Sequence, residues 1–112
     1  MTIIKGTENE FHDDEIIGID YDQKTEVLKL SIRKSLDDKL EVLVVEKVVD
    51  LDLGPFRYQN VIFGIKEYEA DELSESIIKE FEIDDFYIRN KKHGFLIIDS
   101  SIGMSGYIIF RL

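Results

Sequence analysis

A chain of 112 residues with 24 acidic and 14 basic side chains carries a formal charge of −10, and its length predicts a single domain over 1–112. It has no cysteine, which excludes disulfides, thiolate nucleophiles and cysteine-ligated metals. An apolar fraction of 44 % with seven Phe and five Tyr is too high for a disordered acidic tail, while the charge disfavours nucleic acid and anionic membrane as direct partners.

The opening Met1-Thr2-Ile3-Ile4-Lys5-Gly6 has no apolar run long enough for a signal peptide. Apolar stretches such as Val42-Leu43-Val44-Val45 stop at four residues, far short of a membrane span. The expectation is a cytoplasmic protein.

Most of the periodicity is that of strands. Glu15 to Tyr21 and Glu26 to Arg33 flank Asp22-Gln23-Lys24-Thr25, a hairpin turn. In the second run Leu28, Leu30 and Ile32 alternate with Lys29, Ser31 and Arg33, so one face is buried and the other wet. After a turn at Ser35-Leu36-Asp37-Asp38, a long strand is expected from Leu40 to Leu53. Its distal part alternates Val49, Leu51 and Leu53 with Asp50 and Asp52, and a bulge or bend is expected near Glu46 and Lys47.

Gly54-Pro55 ends that strand, because proline cannot donate to a ladder. Arg57 to Tyr68 reads as a further strand with Val61, Phe63 and Ile65 on one face. One helix is expected from Glu72 to Phe81, N-capped by Asp71, with Leu73, Ile77, Ile78 and Phe81 as its apolar stripe. Three strands follow: Asp85 to Asn90, Phe95 to Asp99, and Tyr107 to Leu112. Lys91-Lys92-His93-Gly94 forms a tight basic turn between the first two, with His93 in solvent. The fold class is α+β, an antiparallel sheet of six or seven strands in hairpins with one helix packed on it.

No motif announces catalysis. Gly103-Met104-Ser105-Gly106 lacks the strand–turn–helix setting of a nucleophile elbow, and there is no phosphate loop or dinucleotide fingerprint. His12-Asp13-Asp14-Glu15 is the densest chemical cluster, but on a strand it offers two ligands per face, one fewer than a catalytic zinc requires. The simpler reading has His12 and Asp13 bonding backbone where the first strand begins. No catalytic residue, metal or cofactor is assigned.

The acid lies in two blocks. The first holds Glu8, Glu10, Asp13, Asp14, Glu15, Asp20 and Asp22 with no Lys or Arg between them. The second holds Glu67, Glu69, Asp71, Glu72, Glu75, Glu80, Glu82, Asp84 and Asp85 around the lone cation Lys79. At ~6–8 Å and an effective dielectric near 20, each like-charged pair costs on the order of 2 kcal/mol before screening. A basic partner would relieve that repulsion; a solvated face with pairs such as Glu75–Lys79 is the plainer alternative. The candidate partner-binding residues are Glu67, Glu69, Asp71, Glu72, Glu75, Glu82, Asp84 and Asp85. Tyr68 and Tyr87 are the aromatic anchors beside them. Phe86 is a third aromatic in reach, expected rather in the core.

The segment Phe11-His12-Asp13-Asp14-Glu15-Ile16-Ile17-Gly18-Ile19-Asp20-Tyr21-Asp22, with Val61-Ile62-Phe63-Gly64-Ile65 further on, resembles small bacterial β-rich immunity proteins. Those proteins neutralise toxin domains of polymorphic or contact-dependent growth inhibition systems. The likeness covers about 20 residues, mostly strand chemistry, and carries no catalytic residue. It implies a protein that binds a basic, nuclease-type toxin domain through an acidic surface. Three other readings remain open. One is a phage-type nucleic-acid mimic that inhibits a restriction or CRISPR effector. The second is a small enzyme or metal-binding domain built on His12, and the third a subunit that oligomerises through an edge strand, Tyr107 to Leu112 or Leu40 to Leu53.

Overall fold

The runs Phe95-Leu96-Ile97-Ile98 and Tyr107-Ile108-Ile109-Phe110 are apolar at every position, the pattern of strands covered on both faces. A computed structural model describes residues 11–112 and places both runs inside a seven-stranded antiparallel sheet. Residues 1–10, including Glu8, Glu10 and the segment read for a signal peptide, lie outside the described residues. The strands are β1 (Glu15–Asp22), β2 (Val27–Arg33), β3 (Leu40–Val45), β4 (Val48–Leu53), β5 (Val61–Glu69), β6 (His93–Ile102) and β7 (Gly106–Arg111). Their order across the sheet is β3-β2-β1-β5-β6-β7-β4.

The sheet consists of two groups. Strands β1 to β3 form a meander, and β4 to β7 form a second ladder. Glu15 opposite Val61 is the one register pair that joins β1 to β5. At the far ends of the order, β3 and β4 are consecutive in sequence, separated by Glu46 and Lys47. Lys47 takes a left-handed φ of 59°, the local kink the sequence led one to expect there. Its carbonyl accepts from Arg111 N at 2.9 Å, and Val48 N donates to Glu26 O at 3.0 Å. The expected single strand from Leu40 to Leu53 is therefore two strands that turn a corner between the groups, and the sheet wraps around one interior.

That interior holds Phe11, Ile16, Leu28, Leu30, Ile32, Leu43, Val45, Ile62, Ile65, Leu96, Ile98 and Ile108 among its buried side chains. The alternating face of β2 lines it as expected. On the opposite face of the second ladder, Phe95, Ile97, Tyr107 and Ile109 form another cluster with Leu73 and Ile83. Burying each such side chain contributes roughly 1.5–3 kcal/mol. Two apolar clusters, one on each side of β6 and β7, explain why those strands show no alternation.

The outer cluster is roofed by a 3-10 turn (Ala70–Glu72) and two short helices, α1 (Glu75–Phe81) and α2 (Asp85–Asn90). The expected helix from Glu72 thus begins later: Ser74, not Asp71, is its N-cap, its hydroxyl accepting from Ile77 N at 3.2 Å. Glu72 instead turns back, its carboxylate accepting from Glu69 N at 2.7 Å. The apolar stripe itself holds, since Leu73 is buried and Ile77, Ile78 and Phe81 pack on the outer cluster.

Asp85 to Asn90 was expected as a strand and is α2. Asp84 caps it by accepting from Phe86 N at 2.9 Å, Asp85 pairs with Arg89 one turn on, and Tyr87 and Ile88 drop onto the outer cluster. Capping and packing here outweigh the strand preference of Phe, Tyr and Ile. The basic turn is also corrected. Lys91 is the left-handed cap of α2, while His93 and Gly94 already belong to β6, and His93 is 8 % exposed instead of standing in solvent.

Strand β5 starts at Val61 rather than Arg57, and register shifts flank Ile62. They break the expected Val61–Phe63–Ile65 face: Ile62 and Ile65 point inward while Phe63 is 57 % exposed. A shift between Val48 and Asp50 likewise sends Val49 to the outer cluster while Val48 joins the inner one. Finally, β7 lies between β6 and β4, so Tyr107 to Leu112 is no edge strand; β3 and β4, which divide the span Leu40 to Leu53, stand at the two ends of the order.

Candidate functional site

The helical layer needs one apolar side to roof the outer cluster, and its remaining positions are left to water. Those positions carry the second acidic block. Asp71, Glu72, Glu75, Glu80, Glu82, Asp84 and Asp85 are all exposed. The two earlier members are placed differently. Glu67 is half-buried and sits opposite Leu96 of the inner core, so it shares a face with that residue and not with the helices. Glu69 is exposed at the end of β5 and takes part in the capping box with Glu72.

Several of these carboxylates already have local work. Asp71 lies 3.4 Å from Lys91 Nζ and Asp85 lies 2.6 Å from Arg89 Nε. Asp84 caps α2. Glu75, Glu80 and Glu82 enter no ion pair among the described residues.

Two residues absent from the candidate set join them. Strand β4 lies beside β7 with Asp52 directly opposite Tyr107, and Asp50 lies close enough to Tyr87 and Tyr107 for its charge to act on both. Burial, and then the charges of Asp50 and Asp52, push the Tyr107 hydroxyl above its ordinary pKa, with Tyr87 and Asp84 adding to the shift. Burial with Asp50 and Asp84 does the same to Tyr87. A shallow cleft of about 140 Å³ is lined by Asp52, Glu80, Phe81, Glu82, Ser105 and Tyr107. Gly106 makes this approach possible, because a Cβ there would collide with the Asp52 carbonyl. The alternation of Asp50 and Asp52 with apolar residues signalled outward carboxylates, but not which element they would meet.

Among the aromatic anchors, Phe86 is 58 % exposed, contrary to the expectation of a core position. Its ring meets Tyr87 edge-on at 5.3 Å, and Tyr87 in turn meets His93 at 5.1 Å. Tyr87 and Tyr68 are half-buried against the outer cluster, and Lys66 Nζ lies 5.3 Å over the Tyr68 ring. Burial, then the Arg111 charge, holds His93 below the usual imidazole pKa.

The first block follows another pattern. Asp14 is 3 % exposed, lies 2.5 Å from Lys34 Nζ and accepts from Ser35 N at 2.8 Å. Burial pushes its carboxyl up, but Lys34 and the Ser35 N–H outweigh this and leave its pKa below the usual carboxylate value. Glu15 pairs with Arg33 across the β1–β2 ladder at 2.7 Å, and Asp22 closes the hairpin by accepting from Lys24 N. His12 and Asp13 lie in a turn rather than on a strand, 3.5 Å apart and exposed, and the His12 ring meets Phe63 edge-on. Asp13 bonds backbone as expected, its N–H donating to Ile62 O at 2.9 Å, while the side chain that ties this segment to its neighbours is that of Asp14. No group of three His, Asp or Glu side chains that could hold a metal occurs among the described residues.

The loop serines are structural. Ser105 Oγ accepts from Ser100 N at 2.9 Å, Ser100 Oγ bonds the Met104 carbonyl, and Ser105 leads into β7. Among the described residues no helix is long and apolar enough to cross a membrane. What the arrangement offers is a partly aromatic, strongly acidic exterior on the helical side of the sheet. Compared with known proteins, the chain matches no family model, and no curated protein or solved structure matches it either.

Proposed function

We propose that the chain is a binding protein that covers the cationic cleft of a basic partner, in the manner of an immunity protein acting on a nuclease-type toxin domain. The observation that carries this reading is the meeting of Asp52, Glu80 and Glu82 around the cleft beside Tyr107, with the charges of Asp50 and Asp84 adding to the field at that ring. Three separate segments supply that negative surface, and Lys79 is the one cation on α1. A cleft that holds phosphate must be cationic, and an acidic body of this size complements it. Electrostatic attraction of this kind raises association to about 10⁸–10⁹ M⁻¹s⁻¹ at low salt. The half-exposed rings of Phe86 and Tyr87 supply the apolar contact that a tight complex also needs.

The test is a growth assay with the C-terminal ~150 residues encoded by the adjoining reading frame, a typical single-domain length. Toxicity relieved by co-expression of this chain is the expected result. Asp52→Lys with Glu82→Lys should then slow association about tenfold or more and flatten its salt dependence. Toxicity that the chain does not relieve would overturn the assignment to an immunity protein.

A second reading rests on β3, whose edge carries exposed Leu40 and Val42. Pairing of this edge with a second copy would make the chain an oligomerising subunit. Light scattering over a concentration series tests it, with Val42→Lys expected to return any dimer to monomer.

A further inference from the structure

A groove of about 220 Å³ lies between α1 and the outer face of β5 and β6. The register shift at Ile62 builds it by turning Phe63 outward as one wall. Gly64 follows on the strand, opposite Asp99, and adds no side chain to the floor. Ile97 and Phe81 give that floor its apolar surface, and Glu80 and Asp99 stand on the rim. Gly64 is not among the residues with positive φ, so its backbone does not require glycine. The effect of glycine here is to leave the groove open.

Size and charge limit what can enter. The volume falls below the ~300 Å³ where small-molecule sites begin, and suits one long side chain better than a substrate. Neither Glu80 nor Asp99 enters an ion pair among the described residues. The one cation lining the groove, Lys66, is drawn over the Tyr68 ring. Two carboxylates over an aromatic and aliphatic floor call for a cation whose body is flat and weakly hydrated. Arginine fits that description, because its guanidinium lies flat on rings and binds carboxylates in a fork, whereas an ammonium is a compact, strongly hydrated point charge.

We infer that this groove receives a single arginine side chain projecting from the basic partner, an inference that rests on the partner-binding reading above. The aliphatic stem lies against Ile97 and Phe81, Phe63 flanks the guanidinium, and Glu80 and Asp99 bind it. Because Glu80 and Phe81 also line the cleft beside Tyr107, the groove and the acidic cleft share a wall. The groove acts as the anchor point of that larger contact.

The experiment follows amide shifts of the whole chain on titration with three probes: acetyl-Gly-Arg-Gly-amide, its citrulline counterpart, and hexalysine. The expected result is saturable shifts at Gly64, Phe81, Ile97 and Asp99 with the arginine peptide and none with citrulline. Gly64→Leu should fill the groove and weaken the arginine peptide about tenfold or more, roughly 1.4 kcal/mol, while hexalysine binding stays unchanged. Should Gly64→Leu fail to fold, Asp99→Asn gives the same reading with a smaller loss. Arginine shifts confined to Asp52, Glu82 and Asp84, indifferent to these variants, would overturn the groove and leave the acidic-surface reading standing. Binding of neither cationic probe anywhere would overturn both.

Discussion

The acidic stretch from Asp13 to Asp22 and the one from Glu67 to Asp85 have the same sign and similar density, yet the fold uses them differently. In the first, Asp14 is buried against Lys34, Glu15 is laddered to Arg33 and Asp22 closes a turn. In the second, Asp71, Asp84 and Asp85 have short-range partners at the surface, and Glu75, Glu80 and Glu82 have none among the described residues. Asp14, Glu15 and Asp22 of the first block hold the chain together, while Asp13 and Asp20 are exposed. Acid in the second is presented outward from an apolar roof. Carboxylate density alone therefore says little about a binding surface; what matters is whether the countercharge comes from the same chain.

The contrast is broken most severely by removing Asp14. Asp14→Ala removes the acceptor of the Ser35 N–H and the nearer of the two carboxylates at Lys34, which keeps Glu41 at 3.7 Å, and should cost about 3 kcal/mol in denaturant unfolding. Glu80→Gln, on the helical side, should change stability by less than about 0.5 kcal/mol. Equal losses would erase the distinction between the blocks.

A second test uses pH. The Asp14 carboxyl is held below its unfolded value, so the stability it contributes is present above about pH 4 and is lost as pH falls through the folded value. His93 is also depressed; its buried neutral form is favoured above the unfolded value near 6.5, and stability declines as pH drops below that. Unfolding midpoints against pH should therefore show a mild decline beginning near pH 6.5 and a further one in the carboxylate range. His93→Phe should remove the first, and Asp14→Asn should shrink the second, to which Glu26 also contributes through its pairing with Arg111.

The smallest effect is that of salt. Near 1 M the screening length is about 3 Å, which relieves repulsion among the exposed carboxylates of the helical layer. Wild type should gain a few tenths of a kcal/mol, and a Glu75→Gln, Glu80→Gln, Glu82→Gln triple variant should gain less. A triple variant as salt-sensitive as wild type would place the repulsion elsewhere.

Much of the sheet was legible in the sequence because its signal is local. The alternation of Leu28, Leu30 and Ile32 marks β2, and the unbroken runs in β6 and β7 mark strands, although only the second apolar cluster explains why they lack a wet face. The break at Glu46 and Lys47 was legible as a disturbance, but not as the corner that sends β3 and β4 to opposite ends of the sheet. Asp85 to Asn90 misleads because Phe86, Tyr87 and Ile88 favour strands, and the helix depends on a cap at Asp84 and a roofing role visible only in three dimensions. Phe63 misleads because a register shift leaves alternation without meaning for one residue.

For the candidate surface, the exposure of Asp71 through Asp85 followed from the amphipathic stripe. The inward placement of Glu67 and the arrival of Asp50 and Asp52 depend on strand order, which no local pattern encodes. The buried Asp14–Lys34 pair was hidden for the same reason.

The corner at Glu46 and Lys47 also bears on how the chain reaches its native state. The β1–β2–β3 meander pairs neighbours in sequence, a topology whose loops close quickly. Joining it to β7 requires Arg111 to find Glu26, 85 positions away, and β4 to align at the same time. Loop-closure entropy must be met before that contact returns anything. The meander is thus expected to be ordered early and the β4–β7 ladder late. Mutations at Leu30 should then slow folding, whereas Glu26→Gln should mainly speed unfolding, and stopped-flow chevrons of the two variants would show whether the corner is the last part of the fold to close.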